Sequence, residues 1–194
     1  MEKQVLVTAF DPFNGREENV SEQVLLALDP NVPHTKLTKV VLPTVYYEAT
    51  DQLNKLIDET DYDVIIMLGE ASNYQYITTE ARAFNELNSK VADNKGQVFT
   101  GKKMYDDGEE TYFATFSAAK IKEILDETKI INYVSFDAGR FLCNSLLYGA
   151  MYHQDKIDRF AATTFIHLPI FKTENEKNNA IDALNHLIYR LFND

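Results

Sequence analysis

Cys143 is the only cysteine in 194 residues, and it stands in the run Tyr133 to Asn144, where a β-rich apolar stretch turns through Gly139 into a helical pattern. That placement puts a thiol near the first turn of a helix, where unpaired N–H groups and the helix dipole favour the thiolate. A lone cysteine also serves as a small core hydrophobe, so chemistry at Cys143 needs partners. His167 is one candidate: the strand-like run Phe160 to Leu168 delivers it just before Pro169, where a strand should stop and a loop begin. Carboxylates that could orient an imidazole are Glu80, in the β-prone run Ile77 to Asn85, together with Asp93 and Asp137. Asp137 also suits the cap of the turn before the helix. Nucleophile, base and orienting carboxylate form the minimum set for cysteine acyl transfer.

Positioning such a set requires elements that end close together. Hydrophobic patterning predicts strands at Val5 to Phe10, Leu37 to Leu42, Val64 to Leu68, Tyr133 to Phe136 and Ala161 to His167. Helices are expected at Ser21 to Leu28, Tyr46 to Ile57, Ser117 to Leu125, Phe141 to His153 and Glu174 to Leu191. Asn19 with Glu22, and Thr173 with Glu176, have the spacing of helix N-terminal caps. Strand then helix, repeated, predicts an α/β fold: a single-domain three-layer α/β/α sandwich around a mostly parallel, doubly wound open sheet. Sites in such sheets form outside the carboxyl ends of the strands, and Phe10, Cys143 and His167 all fall at or just after such ends. Glu86 to Gly108 has little periodicity and reads as a long loop, an ordered lid or a subunit contact. His34, His153 and His186 lie off these ends and read as solvent-facing.

Five motifs in order resemble the pyroglutamyl peptidase I family, cysteine exopeptidases that remove N-terminal pyroglutamate. They are Val7 to Gly15 with Asn19 to Ser21; Val41 to Val45; Gly69 to Asn85; Ser135 to Asn144; and Phe165 to Pro169. The resemblance implies that Cys143 is the nucleophile, His167 the base and acid, and Glu80 the residue orienting the imidazole. Phe10, Phe13 and Phe141 match the rings that hold the flat pyrrolidone, and Glu70 falls at a substrate-binding position. Backbone N–H groups of Leu142 and Cys143 would stabilise the oxyanion. A homo-oligomer, dimeric or tetrameric, is implied in the same way. The chain departs from the family at Glu70 (commonly glutamine), Ser72 and Asn73 (glycines), Tyr74 and Ala81 (arginines), Ala9, Val20 and Lys90. Glu70 is the departure with the largest expected effect, because a second carboxylate near Cys143 would oppose thiolate formation.

Composition narrows the remaining classes. A formal net charge of -11 argues against nucleic acid or anionic membrane as partners. No metal-ligand spacing and no phosphate-cradling glycine loop occurs, so neither metal nor organic cofactor is expected. A single cysteine allows no intrachain disulfide, in keeping with a reducing cytoplasm. No leader or bilayer-spanning run is evident, the start Met1 to Gln4 leading directly into a strand. The expected partners are small peptides bearing N-terminal pyroglutamate. Two other readings fit the same residues: a related cysteine amidase with a shifted substrate, and a non-catalytic sensor or binding module that uses Cys143 as an oxidisable thiol.

Overall fold

The structure, a computed structural model, describes residues 2–193; the expectation that touches Met1 lies outside them. Three unbroken apolar runs form the middle of the sheet. β1 (Lys3–Phe10), β3 (Val64–Glu70) and β8 (Ala162–Leu168) are buried along most of their lengths, as strands covered on both faces must be. With β2 (Thr35–Leu42), β4 (Ile77–Glu80) and β7 (Asn132–Ser135) they make a sheet in the order β2-β1-β3-β8-β4-β7. Helices α1 (Val20–Ala27), α3 (Ala118–Glu127) and α5 (Glu174–Arg190) cover one face. Helices α2 (Glu48–Glu59) and α4 (Leu142–Lys156) cover the other. The result is the expected mostly parallel three-layer sandwich, and each strand and helix expected from patterning is present within three residues of its ends.

Strand direction corrects one expectation. β4 pairs antiparallel with β8, and β7 pairs parallel with β4, so both run against the other four strands. Residues 71–76 must carry the chain from β3 past the end of β8 to β4. So short a connection reaches a strand two places away only at the same end of the sheet, and the strand has to come back down. Cys143 therefore does not follow the carboxyl end of a strand that runs with β1 and β8. β7 ends level with Phe165, since Glu80 is opposite both Ser135 and Phe165.

A second correction is the small antiparallel pair β5 (Arg82–Phe84) and β6 (Thr111–Phe113), which patterning did not indicate at β6. The intervening loop is irregular, as expected, and two side chains order it. Asn85 Oδ1 accepts from the N–H groups of Met104 and Tyr105 at 2.9 and 3.0 Å. The Asp93 carboxylate accepts from those of Tyr46, Lys95 and Gln97 at 2.8 to 2.9 Å. Both helix caps form: Asn19 Oδ1 accepts from Ser21 N–H at 2.9 Å, and Thr173 Oγ1 from Glu176 N–H at 3.2 Å. Of the histidines expected in solvent, His34 is exposed, while His153 and His186 are half-buried beside Asp58 and Glu127, each at 2.8 Å. Among the described residues, no helix is long and apolar enough to cross a membrane.

Candidate active site

Side-chain alternation along β8 sends Ile166 and Leu168 toward α1, α3 and α5, and Phe165 toward α2 and α4; His167, two residues on, shares the face of Phe165. Register then selects its neighbours. Gly69 of β3 and Thr78 of β4 lie beside His167, and Glu80 lies opposite Phe165, so Glu80 projects from the same face. Its Oε1 is 2.8 Å from His167 Nδ1. A carboxylate can only accept, so Nδ1 carries the hydrogen and Nε2 is left for a substrate or the sulfur. Both side chains are removed from solvent, Glu80 at 0% and His167 at 5% exposure. The surface pairing with Arg82 or Lys90 that a strand glutamate could equally have made does not occur.

Sulfur reaches this face because Gly69 has no side chain. A Cβ at Gly69 would stand 2.6 Å from Phe165 Cζ, a distance that atoms in contact do not tolerate, and 3.0 Å from Cys143 Sγ, tight enough to push the sulfur. Cys143 is the second residue of α4. The approach to that helix is set by Asp137, whose carboxylate accepts from Gly139 N–H at 3.0 Å, with Gly139 in the left-handed region at φ 77°. Asn144, fully buried, fastens the first turn to β5: it accepts from Phe84 N–H and donates to Phe84 O, each at 2.8 Å. Among the described residues the N–H groups of Leu142 and Cys143 have no hydrogen-bond acceptor, as the first turn of a helix leaves them.

A cavity of about 430 Å³ opens beside the sulfur and imidazole, walled by Phe13, Glu70, Tyr74 and Phe141 and, from the long loop, by Ser89 and Val91. The Phe13 and Phe141 rings lie 5.9 Å apart, tilted by 41°. Phe10 is not on this wall; at 3% exposure it packs in the core with Leu42 and Tyr46. Asp93 orders the long loop, and Asp137 the turn before α4, so neither serves His167. Glu70 is present in the wall, with a side chain only 2% exposed.

A family model described as pyroglutamyl peptidase matches residues 3–184. The chain belongs to the pyroglutamyl peptidase family. It is 36% identical over 169 residues to the pyrrolidone-carboxylate peptidase of Thermoanaerobacter pseudethanolicus, covering 86% of this chain and 82% of that one. With the pyrrolidone-carboxylate peptidase of Thermosipho melanesiensis it shares 31% identity over 194 residues, covering 97% and 96%. The crystal structure of pyrrolidone carboxyl peptidase from Fervidobacterium islandicum superposes with a TM-score of 0.89 at 27% identity, covering 98% of both chains.

Two residues of this pyroglutamyl peptidase family member were not anticipated in their roles. Arg16 pairs with Glu70 Oε1, while Glu70 Oε2 accepts from the N–H of Val20, first residue of α1, at 2.9 Å. A guanidinium and a helix N-terminus thus offset the carboxylate that was expected to oppose the thiolate. The need for a partner is readable in the sequence, since a glutamate at the buried end of an apolar strand requires a cation, but which cation is not. Tyr74, noted only as a departure, donates through its hydroxyl to Glu80 Oε1 at 3.0 Å and sets its ring nearly perpendicular to His167, centroids 5.3 Å apart.

Burial opposes a charge on His167, yet Cys143 and then Glu80, through charge and hydrogen bonding, outweigh it and push the imidazole from 6.5 up to about 9. The sign follows from linkage: a raised folded-state value stabilises the fold fully below about pH 6.5, and the gain is lost as pH rises through about 9. The size is on the order of 3 kcal/mol. Urea unfolding midpoints should therefore fall between pH 6.5 and 9, and the fall should flatten in Glu80→Gln, which keeps the shape and removes the charge. Equal slopes in the two proteins would contradict this assignment.

Proposed function

We infer that the chain is a cysteine omega-peptidase that hydrolyses the pyroglutamyl group from the N-terminus of peptides. The observation that carries the mechanism is that Cys143 and His167, from distant parts of the chain, line one ring-walled cavity, with the buried Glu80 behind the imidazole and bonded to its Nδ1. Pyroglutamate has no free amine, so its pocket relies on ring contact and hydrogen bonds to the lactam; Phe13 and Phe141 supply the contact. Phe10 belongs to the core cluster against which Phe141 packs, and Glu70, held by Arg16 and α1, presents a fixed acceptor beside the rings.

Cys143 gives its thiol proton to His167 Nε2 as the sulfur attacks the pyroglutamyl carbonyl carbon, and the carbonyl oxygen becomes an oxyanion facing the free N–H groups of Leu142 and Cys143. Collapse breaks the C–N bond; its electron pair stays on nitrogen, which takes the proton of His167. Water, giving its proton to His167, then attacks the thioester. The thiolate leaves, and free pyroglutamate departs. Glu80 keeps Nδ1 protonated throughout and so aims Nε2 at the reaction. A thiol nucleophile of this kind suits a reducing cytoplasm, where it stays unoxidised.

The test is a panel of reporter amides with pyroglutamyl, prolyl, glutamyl and acetyl groups, followed by amine release and by intact mass at early times. Pyroglutamyl amide should be turned over with a transient acyl adduct on Cys143, and glutamyl amide, carrying charge into an apolar pocket, should be inert. Turnover of another acyl group with the pyroglutamyl amide untouched would replace this substrate with a shifted one. Peroxide-driven oxidation of Cys143 without any adduct would leave a thiol sensor instead.

A further inference from the structure

Glu80 is fully buried, and its Oε2 has no hydrogen-bond partner. All of its anchoring among the described residues falls on Oε1, which accepts from His167 Nδ1 at 2.8 Å and from Tyr74 Oη at 3.0 Å. Tyr74 is fixed in turn by its own backbone, whose N–H donates to Ala71 O at 3.1 Å in the turn after β3. Its ring stands against the imidazole, with centroids 5.3 Å apart and planes at 82°. The hydroxyl therefore shares the oxygen that orients the base, while the ring closes one side of the imidazole.

We propose that Tyr74 is a positioning residue of the catalytic machinery, acting through Glu80 to hold the carboxylate and to moderate how tightly His167 keeps its proton. The physical argument is competition for one acceptor. Each donor on Oε1 draws off negative charge that the other would otherwise feel. With the hydroxyl in place, His167 meets a partly satisfied carboxylate and releases its proton to the leaving amine more readily. Without it, the same carboxylate, still confined by burial and by Nδ1–H, grips the imidazolium harder. The titratable groups facing the imidazole are Cys143 from α4, Glu80 from β4 and Tyr74 itself. The other charges of the cavity wall are paired, Glu70 with Arg16 and Asp137 with Arg140.

Tyr74→Phe retains the ring and removes only the hydroxyl. With a pyroglutamyl amide, kcat should fall about 10-fold, the scale of one hydrogen bond to a charged group, with KM within about 2-fold because the substrate ring is held elsewhere. The basic limb of kcat/KM should move up by about 0.5 pH unit. This kinetic arm rests on the proposed function, so a second arm dispenses with substrate: NMR titration of His167 in Cys143→Ala, with and without Tyr74→Phe. The His167 titration should again shift upward with Tyr74→Phe, while the other three histidines keep their midpoints and report an intact fold. An unmoved or lowered His167 midpoint would overturn the proposal, as would an unchanged kcat. Failure of the parent protein to cleave pyroglutamyl amides, with the NMR shift still present, would count against the substrate and not against Tyr74.

Discussion

Cys143→Ala should eliminate turnover of pyroglutamyl amides, lowering kcat by about four to six orders of magnitude, because groups that act as one nucleophilic unit fail together. The structure makes this variant a clean one. Alanine at the second position of α4 leaves Asn144 fastened to Phe84 and the Gly139 turn unchanged, so helix and cavity persist and only the attacking atom is missing. Substrate should still bind, measurable by calorimetry with a peptide that remains intact. Combining Cys143→Ala with His167→Ala should cost little more than either alone, since neither can work without the other. Residual turnover within about 100-fold of the parent protein would mean that another group performs the attack.

Gly69→Ala should impair both stability and rate, by a different route. The added methyl would lie 2.6 and 2.9 Å from Phe165 ring carbons and 3.0 Å from Cys143 Sγ. Phe165 is fully buried and has nowhere to retreat, so overpacking should cost about 1–3 kcal/mol of stability. Sulfur must also give by a few tenths of an ångström, a fraction of the roughly 1 Å misplacement that costs about 100-fold in rate. Gly149→Ala is the comparison: there the methyl would meet Thr50 Cγ2 at 2.3 Å, between α2 and α4 and away from the cavity. Both variants should melt lower, measured by calorimetric scans, but Gly69→Ala alone should lose about 10-fold in kcat at a temperature where both are folded. Equal activity losses would reduce Gly69 to a packing residue.

The central strands were legible because double-sided burial writes itself as an unbroken apolar run, as in Val64 to Leu68. The helices were legible through their caps and stripes, with Thr173 and Asn19 marking two starts. Strand direction was less visible. Patterning gives no polarity, and the reversal of β4 follows only from the brevity of residues 71–76. β6 escaped because three residues, two half-buried and one exposed, far from their partner carry no local hairpin signal. Within the site, Cys143 and His167 were marked by their places at element ends, whereas Glu80 among the three acids depended on family resemblance. Geometry separates those acids: Asp93 accepts from backbone N–H groups of its own loop, Asp137 from Gly139 N–H and Arg140, and only Glu80 comes into register beside β8. Pairwise events such as Arg16 with Glu70, 54 residues apart, lie beyond any window of local sequence.

The reversed edge of the sheet has a mechanical meaning. His167 and Glu80 belong to alternate rungs of one hydrogen-bonded ladder, while the nucleophile comes in on a helix merely seated against it. The centre is a vice with one fixed jaw, whose gap is set by whatever shims α4: the bare backbone at Gly69 and the clamp at Asn144. Drift in the residues beneath α4 can lengthen or shorten the reach of the thiol over generations, leaving the proton-handling couple undisturbed.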